Sequence, residues 1–231
     1  MKRFYRAATI APAEGGGFAI HLDGKPLVTP GRTPLALPTR ALSLAAAQEW
    51  NDQGEDIDPR AMPLTGLANA AIDRVAPERT RFIDGLASFG ESDLLCYRAD
   101  TPDALAAEQA ALWNPILDWS ERTHGHNFAI TRGIRHVAQP NETLAGLRDA
   151  LAALDDYRLA ALHPLVTIGG SLVTALALAA GAIDRDSGWT AVTIDEAWQE
   201  RHWGSDDEAS AALALKRAEW DSALRFLALL E

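Results

Sequence analysis

No charged residue interrupts the stretch from Leu165 to Ile183, and a run of that length must be buried on every face, either inside a protein or in a bilayer. A spanning helix needs about 20 predominantly apolar residues. Here Thr167, Gly169, Gly170, Ser171, Thr174 and five alanines dilute the run, and neither an aromatic belt nor a Lys/Arg cluster marks its ends. The composition predicts one helix over 157–180, buried all round in a helical domain, with small residues letting its neighbours approach closely. Membrane insertion is not expected.

The residues around this segment supply helices to cover it. Thr101-Pro102-Asp103 reads as a helix start with a capping residue and a proline in the first turn. Leu105, Leu112, Trp113, Ile116, Leu117 and Trp119 then line a long helix to His124-Gly125, with Pro115 inside it as a source of kinking. Phe128 to Thr131 is short and extended. Further helices are predicted over 142–154, 193–202 and 206–230, the last with Ala209, Leu213, Trp220, Leu224 and Leu227 on its apolar face. The segment from Asp184 to Gly188 reads as a connection.

Residues 4–37 have a different character. Phe4 to Ile10 is β-prone, the Gly15-Gly16-Gly17 tract breaks it, and Phe18 to Leu22 alternates into Asp23-Gly24, a favoured hairpin turn. Lys25 to Thr29 returns, and Pro34 to Pro38 forms a short edge segment. After Pro38 the pattern turns helical, with Thr39 as N-cap and Gly54 as stop, followed by helical runs near 64–75 and after Pro77. Ser92 to Arg98 reads as a short strand or extended connection. The expected fold is α+β and predominantly helical, with a small N-terminal antiparallel β-containing domain over 1–90 and a C-terminal helical bundle over 91–231.

Charge and cysteine content narrow the function. A net charge of -11 argues against a nucleic-acid groove, which takes clustered Lys and Arg. With Cys96 as the single cysteine, no intrachain disulfide and no thiol-built zinc site is possible. His124 and His126 flank a glycine without a third ligand at an established spacing, and read as a polar turn. Cys96 has no local nucleophile signature, whether His136 or His163 is taken as its base. Gly15-Gly16-Gly17 lacks the Lys and Ser/Thr of a phosphate loop, and Asn141-Glu142-Thr143 reads as a helix start. No cofactor is expected.

The region from Asp195 to Glu208 crowds Trp198 and Trp203 among six carboxylates. Tryptophan supplies large apolar area with a polar handle and is over-represented where proteins recognise one another. Glu196 and Glu200, four apart, share a helix face at about 5–6 Å, where like charges repel. The pair is compatible with a solvated acidic face, with partner recognition, or with acid/base catalysis in a small hydrolase. Trp198, one turn from Ile194, is read equally as core or contact. The candidate partner-binding residues are Glu196, Trp198, Glu200, Trp203, Asp206, Asp207 and Glu208.

The succession LDGKPLVTPGRTPLALPTRALSLAAAQEW, MPLTGLANAAIDRV, SDLLCYRAD, WNPILDW and DEAWQERHWGSDDEA resembles the ATP12 (ATP-twelve) family of ATP synthase assembly chaperones over essentially the whole chain. The resemblance implies a non-enzymatic chaperone that binds the unassembled alpha subunit of the catalytic F-one sector, without using ATP, until the beta subunit replaces it. It also implies a sheet-containing N-terminal domain and a helical C-terminal domain whose acidic character matters. Trp50 and Trp113 stand in matching blocks and are expected to fix the scaffold. Family-like sequence begins at Phe4-Tyr5, leaving no room for a presequence. The expected location is therefore an alphaproteobacterial cytoplasm, or the mitochondrial matrix for a processed chain.

Overall fold

The computed structural model describes all 231 residues and is an α+β fold, predominantly helical, with a small antiparallel sheet near its N-terminus. Two compact units divide the chain. The first is Met1–Arg79 with Asp156–Ala161 and Ser222–Glu231, and the second is Thr80–Asp155 with Leu162–Asp221.

In the first unit β1 (Ala8–Pro12) pairs antiparallel with β2 (Phe18–Leu22), Ile10 opposite Ile20. Strand β1 starts later than the β-prone run, because Tyr5 is claimed by its side chain: its hydroxyl donates to the Trp50 carbonyl at 2.7 Å and its ring packs edge-on against the Trp50 indole. Asp23 and Gly24 take φ of 49° and 82°, the left-handed pair of a two-residue hairpin. The returning strand β3 is only Lys25–Pro26. Pro26 has no N–H for the ladder, and beyond it Leu27 bridges two neighbours, donating to Ile20 at 2.8 Å and accepting from Leu35 at 2.9 Å. Strand β4 (Ala36–Leu37) pairs with β2 at Phe18 and Ala19.

Helix α1 (Arg40–Asn51) starts at its predicted cap, with the Leu42 N–H on Thr39 Oγ1 at 3.1 Å, and ends at Asp52, two residues ahead of Gly54. Its buried Glu49 carboxylate accepts the N–H groups of Leu64 and Thr65 at 2.7 and 2.8 Å and the Thr65 hydroxyl at 2.8 Å. These are orphan donors at the start of α2 (Pro63–Ala70). Desolvation raises the Glu49 pKa, and the three donors oppose that rise. The core gathers Ile20, Leu35, Leu37, Leu42 and Leu64 with Ala161 and Phe226 from the two returning segments. A π-turn over Ala71–Val75 follows α2, and α3 (Arg79–Ala87) begins just after Pro77.

The second unit holds a parallel pair, β5 (Tyr97–Arg98) with β6 (Thr131–Arg132), and the helices α4 (Asp103–His124), α5 (Asn141–Ala152), α7 (Leu172–Ala179), α8 (Arg185–Val192) and α9 (Ile194–Trp203), while α6 (Asp156–Gly169) gives its start and α10 (Asp207–Ala228) its end to the first unit. Helix α4 starts at Asp103, so Pro102 sits at the cap position rather than in the first turn, its carbonyl accepting from Leu105 and Ala106. The helix continues through Pro115 to His124.

The helix expected over 157–180 is two helices. Gly170 takes φ +63°, a conformation that only glycine adopts without cost, and the Ser171 hydroxyl caps α7 by accepting the Thr174 N–H at 3.0 Å. Every residue from Leu172 to Leu178 is still buried, and no helix is long and apolar enough to cross a membrane. The connection expected over 184–188 is instead the start of α8, where the Asp184 carboxylate accepts the N–H groups of Asp186 and Ser187. On α10 the buried positions are Trp220, Ala223 and Phe226, followed by Leu230 just past its end, while Ala209 is exposed and Leu213 half-buried. The predicted apolar face is thus displaced, because residues 201–212 are exposed throughout.

Between Ser92 and Arg98 a 3-10 turn over Leu94–Cys96 precedes β5. Asp93, fully buried, accepts the Leu95 N–H with one oxygen and the Val173 N–H with the other, both at 3.1 Å. Burial pushes its pKa from 3.8 to about 6, against the pull of those donors and the Ser171 hydroxyl. A carboxyl whose pKa is raised on folding favours the fold below its unfolded value and loses that contribution as pH climbs through the folded value. Relative to Asp93→Asn, wild-type stability is therefore expected to fall by up to about 3 kcal/mol between pH 4 and pH 7. Urea unfolding of both proteins across that range checks this; parallel stability curves would refute it.

Candidate functional site

The α9–α10 hairpin springs from a tightly bonded base. The Trp113 indole, fully buried, donates to the Ala191 carbonyl of α8 at 2.7 Å. Arg98 lies 4.8 Å over that ring and donates to the Gln109 carbonyl and to Asn114 Oδ1 at 2.9 and 2.7 Å. Gln109 in turn accepts the Ala99 N–H at 2.7 Å and donates to Asp195 Oδ1 at 2.8 Å. Two turns further on, Arg201 reaches Glu108 at 2.6 Å. Asp195 and Arg201 are thereby pinned to α4 and fix the direction in which α9 points.

Burial divides the faces of α9. Ile194 and Trp198, one turn apart, are buried, with the His202 ring stacked on Trp198 at 4.3 Å and the Arg201 guanidinium 5.4 Å from it. The other face carries Glu196, Gln199, Glu200 and Trp203 at helical spacing, all exposed. Gly204 ends α9, donating to the Glu200 carbonyl at 3.0 Å. Asp206 then starts α10 by accepting the Ala209 N–H at 2.8 Å. Asp207 and Glu208 occupy the first turn of α10, where carboxylates complement the helix dipole.

Between α9 and α10 runs an open groove of about 390 Å³. Trp203, Ala209, Ala212 and Leu213 give it an apolar floor, Glu196, Glu200 and Asp206 an acidic rim, and Lys216 a single positive charge. Trp203 is 78% exposed and Leu215 on α10 is 75% exposed. Single exposed leucines are ordinary; here an indole left in water beside alanine and leucine side chains is ringed by carboxylates, an apolar centre inside an acidic rim.

The groove therefore unites four of the seven candidates, Glu196, Glu200, Trp203 and Asp206. Asp207 and Glu208 are exposed outside its lining, and Trp198 is buried at 8% exposure. Sequence reasoning missed Ala209, Ala212, Leu213 and Lys216 as lining residues. Their signal is ambiguous, since the alanine-rich 209–215 run fits a core stripe as well as a solvent-facing one.

The groups weighed for chemistry elsewhere have structural occupations. The Cys96 thiol is buried and pushed up to about 12, first by desolvation and then by Asp93, so it is not a thiolate at neutral pH. His126 is buried, bonds Ser120 Oγ through Nδ1 at 2.8 Å, and has its pKa lowered by burial and by the His124 ring stacked 5.1 Å away. No group of three or more His, Cys, Asp or Glu side chains is placed to hold a metal ion.

The family model described as ATP12 chaperone protein matches residues 2–121. The chain belongs to the ATP12 chaperone family. ATP12 of Paracoccus denitrificans is 44% identical, with a TM-score of 0.94 over 100% of this chain and 98% of that one. An Asp-to-Lys mutant of the same protein gives 43% identity, a TM-score of 0.94 and the same coverage. The Atu1473 protein of Agrobacterium tumefaciens is 40% identical, with a TM-score of 0.95 over 100% of this chain and 86% of that one. The family match ends at residue 121, ahead of the hairpin, whereas the likeness to the solved structures extends over the whole chain, hairpin included. A chaperone role follows from ATP12 membership, and it places the weight of function on surfaces that meet another protein.

Proposed function

We propose that this ATP12 protein is an assembly chaperone for the ATP synthase F-one sector, holding the unassembled alpha subunit and covering the surface that later meets the beta subunit. The observation that carries this reading is the α9–α10 groove, with Trp203 78% exposed on its apolar floor and Glu196, Glu200 and Asp206 on the rim. A subunit waiting for its neighbour exposes apolar surface that invites misassembly. Trp203 covers part of it, the carboxylates answer basic groups that would otherwise lie unpaired, and Asp207 and Glu208 extend the negative field that steers the client in. Trp198 acts indirectly, by seating α9.

Holding is stoichiometric and reversible. The acidic rim raises the rate of encounter, and release follows when the beta subunit buries more of the client than the groove does. The bacterial sources of the Paracoccus and Agrobacterium relatives support work in a bacterial cytoplasm, where the F-one sector assembles.

Co-expression with the alpha and beta subunits separately, followed by affinity capture and mass measurement by size exclusion, tests the reading. A discrete complex with alpha and none with beta is expected. Folded protein that retains neither subunit at micromolar concentration would overturn it.

A further inference from the structure

Between Glu121 and Glu142 the chain carries three arginines, three histidines and no acidic residue, within a protein of net charge -11. Arg122 and His124 close α4, the others fall on the loop that joins α4 to α5, and the loop is held in one shape. Gln139 accepts the Ala129 N–H and donates to its carbonyl, each at 2.9 Å, and the Thr143 hydroxyl does the same for Asn127 at 3.2 and 2.8 Å. Strand β6 pairs with β5, the Gly133 N–H donates to the Arg98 carbonyl at 2.8 Å, and the Tyr97 hydroxyl meets His136 Nδ1 at 3.1 Å.

At the tip Gly133 turns the backbone at φ +74°, leaving Ile134 wholly exposed and Ile130 half exposed. Arg135 and His136 follow directly and are exposed. Arg132 is answered by Asp103 at 3.0 Å and the exposed Asp100 side chain lies beside Gly133, so Arg135 is the one tip cation left without a carboxylate partner. A single exposed isoleucine is ordinary, but Ile134 and Ile130 are held out within five residues of one another, with Arg135 adjoining, on a loop that hydrogen bonds keep in place.

We propose that the 130–136 tip is a second docking point, taking an acidic segment of the client with an apolar side chain against Ile134 and a carboxylate on Arg135. This inference rests on the alpha-subunit reading above. Charge selects the occupant: Arg135 favours a negative partner, the whole chain's negative charge works against an anionic bilayer, and the tip carries no Trp or Tyr to anchor in one. Size selects its use. So small a tip covers far less than the roughly 1,200 Å² that sustains a stable complex alone, so it adds to a client already seated at the groove and raises affinity by local concentration.

The test titrates isolated alpha subunit against the full chain, Arg135→Glu, Arg135→Lys and Ile134→Ser, by calorimetry at two salt concentrations. Arg135→Glu is expected to weaken binding about tenfold and to flatten the salt dependence, Ile134→Ser to weaken it severalfold, and Arg135→Lys to bind nearly as wild type. Wild-type binding matched by all three variants overturns this inference and leaves the alpha-subunit reading intact. A wild-type chain that binds no alpha subunit overturns that reading and this one with it. Self-association, or retention on phosphatidylserine vesicles, that Arg135→Glu abolishes while alpha binding is unchanged overturns the choice of occupant.

Discussion

Trp113→Ala is expected to lower the unfolding free energy by about 4 kcal/mol, the scale of deleting a fully buried aromatic side chain. Trp113→Phe is expected to cost less, about 1–2 kcal/mol, chiefly for the lost hydrogen bond. The indole is 0% exposed, bonded to the Ala191 carbonyl and covered by the Arg98 guanidinium. Truncation removes the packing, leaves the carbonyl short of its donor, and takes away the face over which a buried cation rests. The damage reaches the hairpin, because Arg98, Gln109 and Asp195 form one bonded chain running from β5 through α4 to α9. Denaturant midpoints measure the first effect. Faster amide exchange in α8 and α9 than in α7 would register the second. An alanine variant within about 1 kcal/mol of wild type would show that Trp113 does not hold this base together.

Legibility in the sequence follows the physical range of each signal. Asp23-Gly24 and Thr39 act within two or three residues, through a backbone conformation and a cap, and the structure places both where the sequence does. The long uncharged run announces burial, and residues 172–178 are buried as a block. Whether that block is one helix or two turns on Gly170 and Ser171, and their break is stabilised by Asp93, far away in the chain, whose carboxylate accepts the Val173 N–H. Glu49 works the same way on the start of α2. Such caps from a distant carboxylate leave no local pattern.

The groove was half legible for a related reason. Glu196, Glu200 and Trp203 share a face by spacing alone, so local geometry suffices to group them. Ala209 and Leu213 fall on the same stripe of α10 as Trp220, and only the absence of packing along residues 201–212 separates a wet stripe from a dry one. Trp198 was ambiguous in the sequence, and its burial follows from Ile194 one turn earlier, which carries it inward with the rest of that face. Residues Asp206 to Glu208 have a local purpose as the start of α10, so their acidity alone does not identify a contact.

Trp203→Ala is expected to weaken binding of the proposed client by about 2 kcal/mol or more, roughly thirtyfold, while leaving stability within about 0.5 kcal/mol of wild type. The two effects separate because the indole, 78% exposed, contributes little to the free chaperone and becomes an anchor only when a partner covers it. Reversing Glu196 and Glu200 to lysine acts on a different quantity. The two carboxylates stand on an exposed rim, so their reversal should slow association and invert its salt dependence, whereas loss of the indole should hasten dissociation. Surface plasmon resonance with immobilised alpha subunit resolves the two rates. Normal association and dissociation by both variants would remove the α9–α10 groove as the site, and equal changes in both rates would mean that rim and floor do not divide the work as charge and area predict. Trp198→Ala supplies the contrast: its loss should appear first as a lower denaturation midpoint, because Trp198 seats α9 on its buried face while Trp203 meets the client.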